Sequence, residues 1–412
     1  MPRVDNSGSS IRLKKLFPLM PIFILTILVG IPLLSLVWWW WADRRLRKMN
    51  SGRGLRTALM LSVTLLLGSF CWVIFARQDW VTMPVPAPLY ALVLIWGLIC
   101  LPFLGVPSML GWSFWRIGAT VFRKSKAKID PEGRPWTRRD WLKSASVTLP
   151  VLATFGAGAV SLPLMTRFRI REMTVTLQDL PPELDGLRIA HLTDTHVGKF
   201  TKGKVLDELV LATNQLKADL VVFTGDLIDN TIRDLPAAVK MLQGIEQKLF
   251  VIEGNHDLFD DPSGFERGVR EGGIALLRNQ AATLELRGVP VQILGLVWNR
   301  GEQEMAQDVE AISTLRDPGA FPILLAHHPH VFDHAARRGF PLTLAGHTHG
   351  GQFMLNRDIG AGSAMFRYWS GLYQQGKQAL VVSNGAGNWF PLRVNSPAEI
   401  IHLTLRRASG QT

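Results

Sequence analysis

The stretch Leu187-Arg188-Ile189-Ala190-His191-Leu192-Thr193-Asp194-Thr195-His196 decides how the C-terminal part of this chain is read. It opens with an apolar run of strand length, Leu187 to Leu192, and closes on an acid and an imidazole. Asp194 and His196 are two residues apart, and on an extended backbone that spacing points both side chains to one face, which suits chelation. Working outward, further short runs read as strands: Leu220 to Phe223, Leu249 to Ile252, Val291 to Gly295, Ile323 to Ala326, Leu342 to Ala345 and Ala379 to Ser383. Lys202 to Leu216 and Ala237 to Ile245 read as amphipathic helices between them. Short apolar strands alternating with helices indicate an α/β domain.

The conspicuous polar residues stand just past strand ends. Asp194 and His196 follow the first strand, Asp226 the second, and Asn255, His256 and Asp257 the third. His327 follows the fifth, and His347 and His349 the sixth. In α/β sheets that edge is where loops converge on one ligand crevice. A lone Asp-x-His is common on surface loops. Gly225-Asp226, Gly254-Asn255-His256-Asp257, His327 and Gly346-His347-Thr348-His349-Gly350-Gly351 raise the oxygen and nitrogen donors to a number sufficient for two divalent ions. His327 and His328 are equivalent on chemistry alone, while His330 and His334 read as helix-surface residues. Asp229 and Asn230 either support the ligands from behind or cap the next helix, and the cap is preferred. Asn384, in Ser383-Asn384-Gly385-Ala386-Gly387, reads as a turn residue rather than a substrate contact.

Taken in order, D-x-H, G-D, G-N-H-D/E, H and G-H-x-H resemble the calcineurin-like metallophosphoesterase superfamily over about residues 186 to 405. Gly346 to Gln352 and Ser383 to Gly387 look like its bacterial, membrane-associated branch. The resemblance implies a four-layer α-β-β-α sandwich with two sheets between helices. It favours His327 over His328. It implies that Asp194, His196, Asp226 and His349 bind one metal and that Asp226, Asn255, His327 and His347 bind the other, with Asp226 bridging. Two such ions neutralise phosphoryl oxygens and lower the pKa of a bridging water, so no side-chain nucleophile is required. His256 is expected to take part without binding metal, stabilising charge or protonating the leaving oxygen, with Asp257 orienting its ring. Donors without thiolate are compatible with Mn, Fe, Zn or Mg. The expected function is hydrolysis of a phosphoester or diphosphate bond, in a phosphorylated small molecule or a lipid-linked substrate. The alternative is a membrane-bound metal-dependent sensor or assembly factor that keeps the fold without turnover; loss of a ligand would support it, and no motif ligand is lost.

Residues 1 to 165 differ in kind. They hold 20 Lys and Arg against 6 Asp and Glu, whereas residues 166 to 412 hold 25 against 27, so the whole basic excess lies in the first part. Its charges sit in short runs between long apolar stretches, the pattern of juxtamembrane loops rather than of nucleic-acid binding. Spanning a bilayer takes about 20 residues. Four stretches meet that length, 16–41, 57–76, 87–115 and 144–164, the last weaker because it is rich in Ala, Gly, Ser and Thr. Residues 1–165 thus read as a membrane anchor and 166–412 as the catalytic domain. Charged residues inside those helices would indicate a transporter, and essentially none is present. Cys71 and Cys100 lie in apolar stretches and form neither a disulfide framework nor a metal site. The loops 42–56 and 116–143 are strongly basic and should stay cytoplasmic, making the second and third helices an outward hairpin. A fourth crossing then places the catalytic domain outside the cytoplasm, as part of a protein integral to a bacterial inner membrane. Arg3, Arg12, Lys14 and Lys15 leave the orientation of the first helix contested. Thr137-Arg138-Arg139-Asp140-Trp141-Leu142-Lys143 resembles a twin-arginine export signal at an atypical internal position, so the twin-arginine machinery is one route and an ordinary positive-inside loop the other.

Overall fold

Uncharged runs of spanning length satisfy their backbone groups internally by forming helices. In a computed structural model, residues 22–49, 53–77, 83, 85–122, 138–356 and 358–408 are described, and the chain divides into one unit ending at Val160 and another beginning at Ser161. The first unit contains α1 (Ile22–Lys48), α2 (Arg53–Arg77), α3 (Ala87–Ile95), a π-helical stretch Trp96–Gly105, α4 (Val106–Phe122) and α5 (Arg138–Ser161). Among the described residues, three segments are long and apolar enough to cross a membrane: Arg53–Ala76, Ala87–Phe114 and Trp141–Leu164. The expected span 16–41 starts in residues 16–21, outside the described residues, and continues as α1. Most of the second basic loop, 123–137, also lies outside them.

The π-helical stretch has a local cause. Pro102 sits inside it, with no N–H to donate and a ring that clashes with the carbonyl one α-turn earlier. Widening the turn to five residues removes the clash, and the Val106 N–H accordingly reaches back to Leu101 O. Small residues let α1 approach this stretch. A Cβ added at Gly97 would press on Ile31 at 3.1 Å, and one at Gly105 on Trp38 at 3.2 Å. The Trp96 indole N–H donates to Ser35 Oγ at 3.0 Å within the same buried contact.

In the second unit two six-stranded sheets stack face to face. One has the order β1 (Arg169–Leu177), β12 (Glu399–Arg407), β2 (Arg188–Leu192), β3 (Leu220–Thr224), β4 (Leu249–Ile252), β5 (Ala275–Leu276). The other runs β10 (Gly371–Gln375), β11 (Gln378–Val382), β9 (Leu342–Ala345), β8 (Phe321–Leu325), β7 (Val289–Gly295), β6 (Gln280–Leu286). Alternation along each strand builds the layers. Ile189, Leu220, Val222 and Ile252 point from the first sheet into a shared core with Val291, Ile323, Leu325 and Leu344 of the second. Their neighbours Ala190, Leu192, Val221 and Phe223 point outward against α6 (Lys204–Gln215), α7 (Leu235–Gln243) and α8 (Pro262–Glu271). On the far face, Leu294 and Leu324 pack on α9 (Glu302–Ser313) and α10 (Phe332–Arg337). The result is the expected helix, sheet, sheet, helix sandwich. Strands buried on both faces read as continuous apolar runs, which is why β2, β3, β4, β8 and β9 are visible in the sequence.

Candidate metal centre

The seven expected ligands sit on loops that leave the carboxyl ends of strands in both sheets. Asp194 and His196 follow β2, Asp226 follows β3 and Asn255 follows β4, while His327 follows β8 and His347 and His349 follow β9. The local geometry differs from the extended chelate read from the sequence. Asp194 and His196 have φ of 51° and 44°, so the segment past β2 is a left-handed turn and not a continuing strand. It is fastened by Asp194 N–H to Gly225 O at 2.9 Å and by His196 N–H to Asp226 O at 3.1 Å. Asp226, His347 and His349 are also left-handed, at 56°, 73° and 50°. Each such residue costs on the order of 1 kcal/mol or more, and outliers of this kind concentrate at functional sites. Turning the backbone, rather than pleating it, brings the side chains to one point.

Donor atoms of six of the seven fall into two groups. Those of Asp194, His196 and His349 lie within 4.8 Å of one another, as do those of Asp226, His327 and His347. Asp226 stands between the groups: its Oδ2 is 3.5 Å from His196 Nε2 and 3.2 Å from His327 Nε2. A third grouping joins His196, Asp226 and His256. The site fits metal on several counts. Asn255 Oδ1, His327 Nε2 and His347 Nδ1 are buried without a hydrogen-bond partner, an arrangement that costs about 1–3 kcal/mol per atom unless something binds there. The His327 Nδ1–H donates to Thr224 O at 2.7 Å, which orients the ring and turns Nε2 toward Asp226. Glycine is required at two motif positions. A Cβ on Gly254 would overlap the Asp226 carboxylate, and one on Gly346 would overlap Asp194 and Thr193. This donor set could hold divalent metal.

Comparison with known proteins agrees with the geometry. The sequence profile of the calcineurin-like phosphoesterases matches residues 187–351. An uncharacterized metallophosphoesterase of Bacillus subtilis, YkuE, is 31% identical over 250 residues, covering 57% of this chain and 84% of its own. The chain belongs to the calcineurin-like metallophosphoesterases. An uncharacterized metallophosphoesterase of Campylobacter jejuni, Cj0846, is 33% identical over 55% of this chain and 61% of its own. A transmembrane protein with metallophosphoesterase domain from Danio rerio is 29% identical over 64% of this chain and 62% of its own. The chain thus spans less than two thirds of the length of these last two relatives.

Electrostatics in this metallophosphoesterase pair acid with base. Burial would raise the Asp226 carboxyl, but His327, His196 and His256 around it hold it well below the ordinary carboxylate range. Burial opposes a charge on His327, yet Asp226 and Asp194 push it up to about 9. His347 and His349 are lowered, chiefly by burial and then by cationic neighbours. His256 is pushed up to about 9: burial acts against it, and Asp229 and Asp226 outweigh burial. Its backbone N–H donates to Asp226 Oδ1 at 2.8 Å.

Two supporting roles differ from expectation. The Asp257 carboxylate does not orient the His256 ring; it accepts the backbone N–H groups of Ile228 and Gly254, both at 2.9 Å, and pins the β3 and β4 loops together. Burial, with Asp226 nearby, pushes Asp257 up to about 8. Asp229, expected as a helix cap, is the residue beside the His256 ring: the Nδ1–H donates to Asp229 O at 2.5 Å, and Asp229 Oδ1 lies 3.6 Å from that nitrogen and 3.7 Å from His196 Nδ1. Thr231 takes the capping role instead, accepting from Arg233 N–H. His327 faces Asp226, whereas His328 Nδ1 accepts from His330 N–H, so the choice of His327 agrees with the geometry. His334 pairs with Glu302 at 2.8 Å on the surface, and Asn384 is a buried turn residue that accepts from Ser370 Oγ at 2.6 Å.

Sequence reasoning missed two side chains. Trp298 packs against the rings of His327 and His347, with centroids 5.3 and 4.8 Å away. Arg393 is half-buried and donates to His349 Nδ1 at 2.7 Å, to Asn388 Oδ1 at 2.6 Å and to the carbonyls of Asn384, Gly387 and Ser396. An arginine cannot accept, so His349 Nδ1 must, and the neutral ring then carries its proton on Nε2, 2.9 Å from His196 Nε2; a cation held there would have to displace that proton and leave an imidazolate stabilised by Arg393. Neither residue belongs to a contiguous motif, so no local signal marked them.

Proposed function

We propose that this metallophosphoesterase hydrolyses a phosphoester or diphosphate bond using two divalent cations, one on Asp194, His196, Asp226 and His349 and one on Asp226, Asn255, His327 and His347. The observation that carries the reading is the position of Asp226, with ligand imidazoles on both sides of one carboxylate oxygen and partnerless donors beyond. Cations held there would neutralise phosphoryl oxygens and supply an activated water at neutral pH. The chain's own residues do the rest. His256, held beside Asp229, would offer positive charge and a proton to the leaving oxygen. Asp229 holds that ring, and Asp257 fixes the loop that carries it. The three apolar helices of the same chain support a substrate at the bilayer, a lipid-linked or nucleotide-lipid phosphoester, and the loop charges support a catalytic unit on the extracytoplasmic side.

The test is metal analysis and turnover of the purified full chain. Two equivalents of divalent metal are expected, with hydrolysis of an aryl phosphodiester or monoester that a chelator abolishes and added Mn restores. A folded protein with one equivalent, or turnover indifferent to chelator, would refute the two-metal reading. A fully loaded protein with no turnover on any phosphoester would favour the sensor or assembly role.

A further inference from the structure

Large apolar side chains are unevenly exposed on the second unit. Apart from Leu164, Leu211, Leu315 and Leu372, those left exposed among the described residues are Phe259, Leu355, Ile359, Met365, Trp389 and Val394. Phe259 and Trp389 stand at the metal centre, and Met365 adjoins Phe366, whose ring lies 5.9 Å from that of His347. The Phe259 and Trp389 rings lie 4.6 and 6.1 Å from His256, and Trp389 lies 6.4 Å from His349. Leu355, Ile359 and Val394 belong to one lobe, laced by Met354 N–H to Val394 O at 3.0 Å and Leu355 N–H to Ile359 O at 2.8 Å. The short helix α11 (Ala361–Met365) follows directly. Leu355, Ile359 and Met365 are 79, 56 and 69% exposed on this ordered frame, although a soluble surface has no use for such a cluster beside a charged site.

What covers the lobe is indicated by how it is tied to the chain. The third apolar segment ends at Leu164, and the carbonyl of the next residue, Met165, accepts a hydrogen bond from Asn388 Nδ2 at 3.0 Å. Asn388 adjoins Trp389, and its Oδ1 is held by Arg393 Nε at 2.6 Å. The point at which the chain leaves its last apolar helix is therefore fastened to the base of the lobe.

We infer that the lobe formed by residues 353–356, 358–366 and 389–394 is a membrane-docking lip whose exposed apolar side chains enter the interfacial layer of the bilayer that this helix crosses, presenting the metal centre to phosphoesters at the membrane surface. Docking is a property of the surface and holds whether or not the proposed hydrolysis is correct. Apolar and aromatic side chains with a rigid backbone behind them suit that layer.

The full chain in nanodiscs of phosphatidylethanolamine and phosphatidylglycerol provides the test. Leu355→Cys and Met365→Cys carry an environment-sensitive nitrobenzoxadiazole label, Leu211→Cys on α6 serves as the solvent control, and labelled parent protein is subtracted to remove the native thiols. Labels at 355 and 365 should shift to the blue and be quenched by nitroxide lipids, while the label at 211 should be quenched by iodide. Iodide quenching at 355 and 365 equal to that at 211 overturns the proposal. So does shielding from both quenchers, which would mean that protein, such as a second copy of the chain, covers the lip. A second readout rests on the proposed hydrolysis: Leu355→Asp with Met365→Asp should lower kcat/KM for a phosphoester embedded in vesicles by roughly tenfold or more and leave a soluble aryl phosphoester unaffected. Equal losses on both substrates would count against docking, whereas absence of turnover on either, with the labels still quenched by lipid, would indict the hydrolytic reading alone.

Discussion

Asp226 is the side chain on which the rest of the site depends. Its Oδ1 accepts the His256 backbone N–H and its Oδ2 faces the imidazoles of His196 and His327, so one substitution alters both groups of donors. Asp226→Asn is expected to lower bound metal below two equivalents and to abolish turnover. His256→Ala should keep both metals and lose turnover by about 10² or more, the scale of a positioned acid. Metal content measured beside kcat separates the two, and the contrast has force because His256 also lies within ligand distance of His196 and Asp226. If His256→Ala emptied the site, the ring would be a ligand. The candidate ligands themselves were legible because Asp, Asn and His stand in short motifs after apolar runs. The partner of His256 was not, because an Asp a few residues before a helix looks like a cap; only the fold shows that Thr231 caps and Asp229 turns inward.

At the scale of elements, the loops do what strands cannot. A strand alternates its side chains strictly, and the left-handed turns past β2, β3 and β9 break that alternation so that imidazoles and carboxylates meet. Close approach of these turns demands glycine. Gly346→Ala drives a methyl group into Asp194 and Thr193, and a loss of about 1–3 kcal/mol is expected, the usual cost of overpacking, together with weaker metal binding. Thermal melts with and without added Mn read both effects; an unchanged melting temperature and unchanged metal content would show that the turn yields freely. The elements that escaped sequence reading share a cause. β1, β6 and β12 each leave side chains partly or fully exposed, so polar and charged residues interrupt them and no apolar run announces them. The β6–β7 hairpin turns through Arg287 and Gly288, both with positive φ, and arginine in the place usually held by Asn or Asp hides a two-residue turn. Sheet order is also invisible locally: β12, the last strand, lies between β1 and β2, parallel to one and antiparallel to the other.

At the scale of the whole molecule, hydropathy and charge set limits that the metal centre cannot. Three segments of spanning length were legible as uncharged runs, because the bilayer imposes a length that needs no tertiary context. Which side receives the metallophosphoesterase unit depends on the basic loops, since Arg44, Arg45, Arg47 and Lys48 before Arg53–Ala76, and the basic residues of the loop 116–143 before Trp141–Leu164, resist transfer across the membrane. With those loops inside, the segment 53–76 leads out, 87–114 returns, and 141–164 leads out again, so a reporter fused after Ile170 should be active only outside the cytoplasm. A reporter active only in the cytoplasm would mean that the Ala- and Gly-rich last segment fails to insert, and the metal centre would then face the cytoplasm. Arg138, with which α5 begins, and Arg139 allow the export route to be separated from its direction. Arg138→Lys with Arg139→Lys leaves loop charge unchanged. Export that fails in this variant identifies the twin-arginine machinery, because that machinery reads the guanidinium pair, whereas export that survives identifies insertion directed by charge alone.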